Sequence, residues 1–370
     1  MPIPFVDLKR QHVEIESEIA AAFEKVLRSG VYILGEEVDQ FEKEWASFCG
    51  AKAAAAVATG TDALSLALIA SGAVRKNQGD EIITSALTSA YTALSILNAG
   101  GVPVFVDVLP DTYTLNPGEI EQAITPRTRA IVPVHLYGRR AEMEAISEIA
   151  MRRNLIVIED SAQAHVAPSA DVRAAHGSRT AVFSFYPTKN LGAYGDGGAV
   201  VSDDESLIDR IRSLRQGGHP RALLGEQEGR NSRLDELQAA LLSAKLPRLG
   251  EWNRRRREIA ETYTNALGKS PSIICPSSAS PESNAHHLYV IQHPDRDGLR
   301  AHLAAAGIES MIHYPYLLHQ QPLFRQREQK AMPVAEQMVK RILSLPLYPQ
   351  LQNQEVEEVI AAILSYKIES

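Results

Sequence analysis

Cysteine is nearly missing from this 370-residue sequence. Cys49 and Cys275 are the only two, and they lie far apart. No CxxC spacing exists, which excludes zinc-ribbon and thioredoxin-type chemistry. Two isolated thiols suit a reducing compartment, so a cytoplasmic protein is expected. A basic surplus is missing as well. Lys and Arg number 38 against 45 Asp and Glu, a formal net charge of −7. A general grip on nucleic acid or an anionic membrane needs the opposite sign, so neither partner is expected. There is no strongly apolar run of about 20 residues, the length a membrane span requires. The most apolar stretch, 53–74, is rich in Ala and interrupted by Gly60, Asp62 and Gly72; it reads as a buried helix. The N-terminus meets Asp7 and Lys9 before any apolar run forms, unlike a signal peptide. What remains is an ordinary globular composition, 45% hydrophobic and 22% charged.

The length allows two or three domains of roughly 100–200 residues. Apolar residues at Val13, Ile15, Ile19, Ala22, Phe23, Val26 and Leu27 predict an amphipathic helix over 11–28. A second helix follows at 35–48. Helical stretches at 62–71, 91–98, 117–124 and 141–153 then alternate with short apolar runs at 81–84, 102–106, 129–134 and 155–159. That alternation predicts a mostly parallel sheet covered by helices on both faces. Two further strands, 181–186 and 199–202, flank a loop rich in Gly, Asn and Asp. Long helices take over after Asp203, at 234–246 and 252–267. A Pro- and Ser-rich linker (271–284), a strand (287–292) and helices at 296–306, 335–343 and 353–366 complete the chain. The division falls near Leu249, giving a large α/β domain (1–249) with its N-terminal helices and a small C-terminal α+β domain (250–370).

Two segments carry the chemistry: IVIEDSAQAH (156–165) and FSFYPTKNLGAYGDGGAVV (183–201). The first ends a buried strand on an acid, Asp160, where doubly wound sheets bind ligands. The second places Lys189 in a loop just past a strand. A loop lysine is ordinarily solvated. One held at an apolar sheet edge is desolvated, which lowers its pKa and makes it a Schiff-base former. A carboxylate at Asp160 is what a pyridoxal phosphate ring needs to keep its nitrogen protonated. The segment ATGTDALSLALIASG (58–72) opens a helix with Gly60 and Thr61, whose amides and dipole favour an anion. It is equally an ordinary helix capped by Thr61 or Asp62. Ser184 offers a hydroxyl to the same anion. The run 254–257, all arginine, reads as a solvated helix face. His286 and His287 open a strand and face opposite ways, a poor metal site.

With PFVDLKRQ (4–11), SGVYILGEEVDQFE (29–42), VPVFVDV (102–108), NSRLDELQAALLSAKL (231–246) and HYP (313–315), these segments resemble the DegT/DnrJ/EryC1/StrS family over nearly the whole chain. That resemblance implies the aspartate-aminotransferase-like fold (fold type I), pyridoxal 5'-phosphate as cofactor and a homodimer with shared active sites. The implied reaction moves an amino group from L-glutamate to a nucleotide-linked keto sugar. Lys189 matches the Schiff-base lysine and Asp160 the acid on the pyridine nitrogen. Gln163 matches the residue beside the ring hydroxyl, and Gly60, Thr61 and Ser184 the phosphate cup. Asn231 matches an asparagine reaching the neighbouring subunit's phosphate; alone it reads as a helix N-cap. Tyr314 and His319 resemble a substrate-side segment, and Tyr32 and His165 are further substrate candidates.

One departure stands out. Family members stack an aromatic residue on the cofactor where this chain has Ser89, in LTSAYT (87–92). Tyr91, the nearest aromatic, is the candidate for that stacking role, although two places on a helix turn it about 200° away. The GDGG at 195–198 resembles members that aminate C-3 of a dTDP- or UDP-linked 3-keto-hexose, or a keto-inositol. Sugar 3-dehydratases replace the lysine by histidine, which Lys189 opposes. An aminohydroxybenzoate-synthase-like enzyme and a regulatory homologue without turnover also stay open; the latter has no need of Lys189 or Asp160.

Overall fold

The computed structural model describes residues 2–166, 179–218, 228–277, 284–324 and 330–367. Three helices open it: α1 (Leu8–Glu14), α2 (Glu16–Ser29) and α3 (Glu36–Phe48). Strands and helices then alternate through β1 (Ala53–Val57), α4 (Gly60–Ala70), β2 (Glu81–Ser85), α5 (Ala90–Ala99), β3 (Val102–Val106), α6 (Pro117–Ala123), β4 (Thr128–Ile131) and α7 (Met143–Arg153). Next come β5 (Ile156–Val157), β6 (Glu159–Asp160), β7 (Thr180–Ser184), β8 (Gly198–Ser202), α8 (Glu205–Leu214), α9 (Glu236–Lys245) and α10 (Leu249–Leu267). The chain closes with β9 (Tyr289–Gln292), α11 (Arg296–Ala305), α12 (Pro333–Met338), β10 (Ile342–Leu345) and α13 (Asn353–Ser365).

The strands pair in two arrays, β3-β2-β4-β5 and β6-β7-β8-β1. Only Ile158 separates β5 from β6. Its N–H donates to the Ile131 carbonyl at 3.1 Å, and the Asp160 N–H to the Pro133 carbonyl at 2.9 Å. The two arrays are therefore one sheet. Strand β8 runs antiparallel to both neighbours, and the other pairs are parallel. Helix α4 and the apolar face of α8 (Leu207, Ile208, Ile211, Leu214) cover one face. On the other, α3 and α9 bury Phe41, Trp45 and Leu242 against Phe183 and Phe185. A separate cluster joins β9, β10, α11 and α13 to the later turns of α10, and Ile3 packs into it. Helix α10 spans both cores: Leu249 packs with the Trp45 cluster, Ile259 and Tyr263 with the C-terminal one. Among the described residues no helix is long and apolar enough to cross a membrane.

Two expectations are corrected. The stretch 53–57 is not helical but the sheet's outer strand, β1. Alanine favours helix weakly, and tertiary pairing overrides it. An edge strand leaves backbone groups unpaired, and here charged side chains of the flanking helices take them up. Glu42 of α3 accepts the Ala56 N–H at 2.8 Å. From α8, Arg212 donates to the Ala54 carbonyl at 3.0 Å and Arg215 to the Ala56 carbonyl at 2.6 Å. Both arginines also pair with Glu42. The second correction concerns 335–343. A short helix, α12, ends at Met338, and Ile342 and Leu343 pair with Gln292 and Ile291 in a strand. A short apolar run does not reveal its period; the partner strand decides.

The Glu42 clamp gives a stability prediction. In Glu42→Ala, Arg215 keeps a buried charge without its partner and Ala56 loses its acceptor. Urea denaturation is expected to show a loss of about 3–5 kcal/mol, against a smaller loss for Glu42→Gln, which retains an acceptor oxygen.

Candidate active site

The strands β6 and β7 end side by side, with Asp160 paired to Val182. That register places the carboxylate of Asp160 and the loop after Ser184 at one edge of the sheet. Asp160 is buried. Its Oδ2 accepts the Thr92 hydroxyl at 2.8 Å and its Oδ1 the Ala162 N–H at 3.2 Å. Loss of water raises its pKa above the usual carboxylate range, while Thr92, Ala162 and the charge of Lys189 oppose the rise. Lys189 is half-buried. Desolvation brings its amine down from the ordinary 10.5 to about 8, and Asp160 opposes the fall. The result is a carboxylate and an amine in each other's field, with little water to screen either.

An anion cradle lies at the start of α4. Thr59, rather than Thr61 or Asp62, caps the helix, accepting the Asp62 N–H at 3.0 Å. The amides of Gly60 and Thr61 are left without intrahelical acceptors. A Cβ on Gly60 would stand 2.7 Å from the Ser184 Cβ, so only glycine permits this approach. The Asp62 side chain turns away: it accepts the Ser232 hydroxyl at 2.8 Å and faces Arg230 at 3.6 Å. That removes the carboxylate from the cradle, leaving two amides, a helix dipole and the Ser184 hydroxyl.

Gln163 is fixed in orientation. Its Oε1 accepts the Tyr137 N–H at 2.6 Å, and its Nε2 donates to the Tyr314 hydroxyl at 3.0 Å. Tyr314 also lies beside Ser89, and the Tyr137 hydroxyl donates to the His313 carbonyl. Tyr314, from the C-terminal part of the chain, is thus brought to Gln163 and to the position where the sequence lacks an aromatic residue. Ser89 itself caps α5, and Tyr91 follows it at 66% exposure.

Other candidates sit elsewhere. Tyr32 and Asn231 are exposed near the start of α9, whose N-cap is Asp235 and not Asn231. The Tyr32 carbonyl accepts the Glu236 N–H at 3.0 Å, and Asn231 pairs its backbone with Gln216. Two substrate candidates are corrected. His165 is 1% exposed and packs edge-on against Trp45 and Phe185. Its Nδ1 accepts the Leu191 N–H at 3.1 Å, and burial brings its pKa down to about 3, so it is a neutral core residue. His319 is buried beside Glu336 at 3.3 Å, closed to a substrate. The arginine run is corrected as well: Arg256 is buried and donates to the His287 and Leu347 carbonyls. Periodicity of α10 carries that position onto the inner face. Thr92 and Tyr137 escaped sequence reasoning. Thr92 lies one turn beyond Ser89 in LTSAYT, a spacing that could have pointed to it. Nothing in the sequence marks Tyr137, whose backbone takes a positive φ of 61°.

A mixed sheet with one antiparallel strand thus ends on a desolvated lysine in the field of a buried carboxylate, beside a glycine cradle, an arrangement suited to a cofactor that carries an aldehyde and an anion. Known proteins agree with this. The chain belongs to the DegT/DnrJ/EryC1/StrS aminotransferase family, whose profile matches residues 13–364. It is 43% identical over 365 residues to the erythromycin biosynthesis sensory transduction protein EryC1 of Saccharopolyspora erythraea, covering 98% of this chain and 99% of that one. It is 43% identical over 363 residues to dTDP-3-amino-3,4,6-trideoxy-alpha-D-glucose transaminase of Streptomyces venezuelae, covering 98% and 95%. The crystal structure of S. venezuelae DesV in complex with ketimine intermediate superimposes with a TM-score of 0.94 at 42% identity, covering all of both chains.

The Lys189 environment predicts a titration. In full-length protein freed of cofactor, competitive acetylation read by mass spectrometry should show Lys189 reacting with a midpoint near pH 8, against roughly 10.4 for solvated lysines. Neutral amine is the reactive form, so reactivity rises with pH through that midpoint. The charge of Asp160 favours the ammonium; Asp160→Asn should therefore move the midpoint lower still.

Proposed function

We propose that this chain is a pyridoxal-phosphate-dependent aminotransferase that transfers an amino group from L-glutamate to a nucleotide-linked keto sugar, at C-3 of a dTDP- or UDP-linked 3-keto-hexose. The observation that carries the reading is the desolvated Lys189 in the field of buried Asp160, beside the Gly60 cradle. The cofactor fits these residues. Asp160 is a buried carboxylate suited to a cationic ring nitrogen, and the cradle offers an anion two helix amides and a hydroxyl where a Cβ at Gly60 would intrude. Lys189, Asp160 and Gln163 would hold the ring, and Gly60, Thr61 and Ser184 the phosphate. When bound, pyridoxal phosphate supplies an electron sink for the carbon losing its proton.

The chain's own residues do the rest. Lys189, with a pKa near the working pH, can both take up and release a proton at Nζ. The hydrogen bonds from Thr92 and Ala162 favour the carboxylate form of Asp160 against its burial, and that form would hold a proton on the ring nitrogen. Gln163, locked by Tyr137 and Tyr314, presents a fixed amide to the ring's edge. Tyr314 and Tyr32 are the substrate-side candidates that remain, and Tyr91 is retained for the ring only if a partner chain covers it.

The position of Asn231, exposed and outside the helix cap, supports a homodimer with shared sites. Apolar Phe23 and Leu27 of α2, with Tyr32 and Ile33, are 42–49% exposed on that part of the chain. The C-3 preference rests on GDGG and on the 3-amino product named for the Streptomyces relative. The relative named for sensory transduction favours a second reading, a regulatory homologue. Lys189 and Asp160 weigh against it, because regulation needs neither.

A panel of dTDP-, UDP- and GDP-linked keto sugars with glutamate tests the reading. Turnover is expected with a 3-keto substrate and abolished in Lys189→Ala, and Asp160→Asn should lose a factor of about 10²–10⁴. Borohydride reduction should fix cofactor to the peptide containing Lys189; attachment to another lysine refutes the assignment. Absence of turnover on every keto sugar, with cofactor bound, would favour the regulatory reading.

Shared sites make a separate prediction. Co-expressed Lys189→Ala and Asn231→Ala chains should recover up to about half of wild-type activity per mixed dimer, because both lesions fall in one site and leave the other intact. If Asn231 serves its own chain, the mixed dimer stays as impaired as its parents.

A further inference from the structure

The three residues after Lys189 are each held by a buried polar side chain from a different part of the chain. The Leu191 N–H donates to His165 Nδ1 at 3.1 Å, and the Gly192 carbonyl accepts from Lys245 Nζ of α9 at 2.6 Å. Asn190 is the most heavily tied. It is 2% exposed, and its Nδ2 donates both to Asn253 Oδ1 of α10 and to the Ala285 carbonyl, each at 2.8 Å. Its Oδ1 lies 3.1 Å from His287 Nδ1.

The polarity of this chain of bonds is fixed from one end. The His165 carbonyl can only accept, so Asn253 presents Nδ2 to it at 2.7 Å and must turn Oδ1 toward Asn190. Asn190 then presents Nδ2 to that oxygen and to Ala285, leaving its Oδ1 for His287, whose Nδ1 must carry the proton. Every polar atom of the Asn190 side chain is satisfied in one orientation only. A flip would place two donors against His287 and an acceptor against two acceptors. Such a network, paired at every Asn190 atom and largely buried, holds its members rigidly. It joins the Lys189 loop, the EDSAQAH segment, helix α10 and the chain entering β9.

We propose that Asn190 is a positioning residue for Lys189, tying the lysine's loop through Asn253, Ala285 and His287 to the C-terminal part of the chain. The assignment rests on Lys189 being the reacting lysine. The side chain of Asn190 touches neither Asp160 nor the anion cradle, and it acts through the backbone it shares with its neighbour. The groups in whose field the Lys189 amine lies are Asp160, His165, His287 and His313. A loop released from its tie lets water reach that amine, and a misplacement of about 1 Å costs an enzyme as much as 10²-fold in rate.

Three variants of the full-length chain test this: Asn190→Ala, Asn190→Asp, which keeps the shape but loses both donated hydrogens, and Asn253→Ala, which cuts the same tie from α10. Competitive acetylation should move the Lys189 midpoint upward, toward the solvated value, by a unit or more in the first. Asn253→Ala should shift it in the same direction by less. In the loaded enzyme, kcat is expected to fall about 10–100-fold with KM for the amino donor changed less than about threefold. The double variant Asn190→Ala/Asn253→Ala should lose less than the product of the single losses, since both cut one connection. If Asn190→Ala is insoluble, Asn253→Ala carries the test. An unchanged midpoint and an unchanged kcat in a folded variant overturn the proposal. Borohydride attachment at Lys189 in the wild type separates the two failures: without it the reading of Lys189 falls, and with it only the role of Asn190 is at stake.

Discussion

Everything at the site depends on stripping water from a lysine and an aspartate that lie in each other's field. Desolvation raises the pKa of Asp160 and lowers that of Lys189, and each charge partly offsets the penalty on the other. Neither effect is available in solution, where solvent screens the pair and both groups titrate near their ordinary values. The sheet supplies the enclosure. Strands β6 and β7 lie in register, so the acid and the lysine's loop leave the sheet together. Hydrogen bonds from Thr92 and Ala162 favour the carboxylate form and so oppose the rise that burial imposes.

Enclosure of this kind demands close backbone approach, which explains where glycine is used. A Cβ on Gly60 would collide with Ser184, and one on Gly198 would stand 2.4 Å from the Thr59 carbonyl carbon. The N-terminus of α4 is therefore pressed against the ends of β7 and β8, and its unpaired amides open onto the same edge. The antiparallel strand β8 makes this possible. It returns the chain beside β7 immediately after the lysine loop, so that loop is closed at both ends by paired backbone.

The free edge of the sheet beyond β8 is handled by charge. The outer strand β1 is almost all alanine, with no side chains large enough to shield its free edge. Glu42, Arg212 and Arg215 bond to its backbone in their place, and the same three side chains satisfy one another. Breaking into this set leaves a buried charge, so helices α3 and α8 are fixed to the strand they flank. The aromatic core around Trp45 lies on that side as well, and His165 belongs to it rather than to the solvent-facing site.

Sequence alone carried the alternation of strands and helices through residues 81–202, because buried parallel strands are short apolar runs and their helices are periodic. It also carried the segments around Lys189, Asp160, Gln163, Ser184 and Gly60, because each stands at a strand end or helix start with a distinctive neighbourhood. It misread 53–57, where alanine favours helix, and 342–343, where a short apolar run hides its period; in both only the partner strand fixes the conformation. Histidines 165 and 319 and Arg256 were misplaced for a related reason. A polar residue's burial depends on what packs around it from distant parts of the chain, such as Trp45 for His165 or His287 and Leu347 for Arg256. The same holds for Thr92, Tyr137 and Asn190, whose partners lie 68, 26 and 63 or more residues away. Periodicity is a local property of the chain and survives in the sequence; hydrogen-bond partners brought together by a sheet crossing exist only once the tertiary structure has formed.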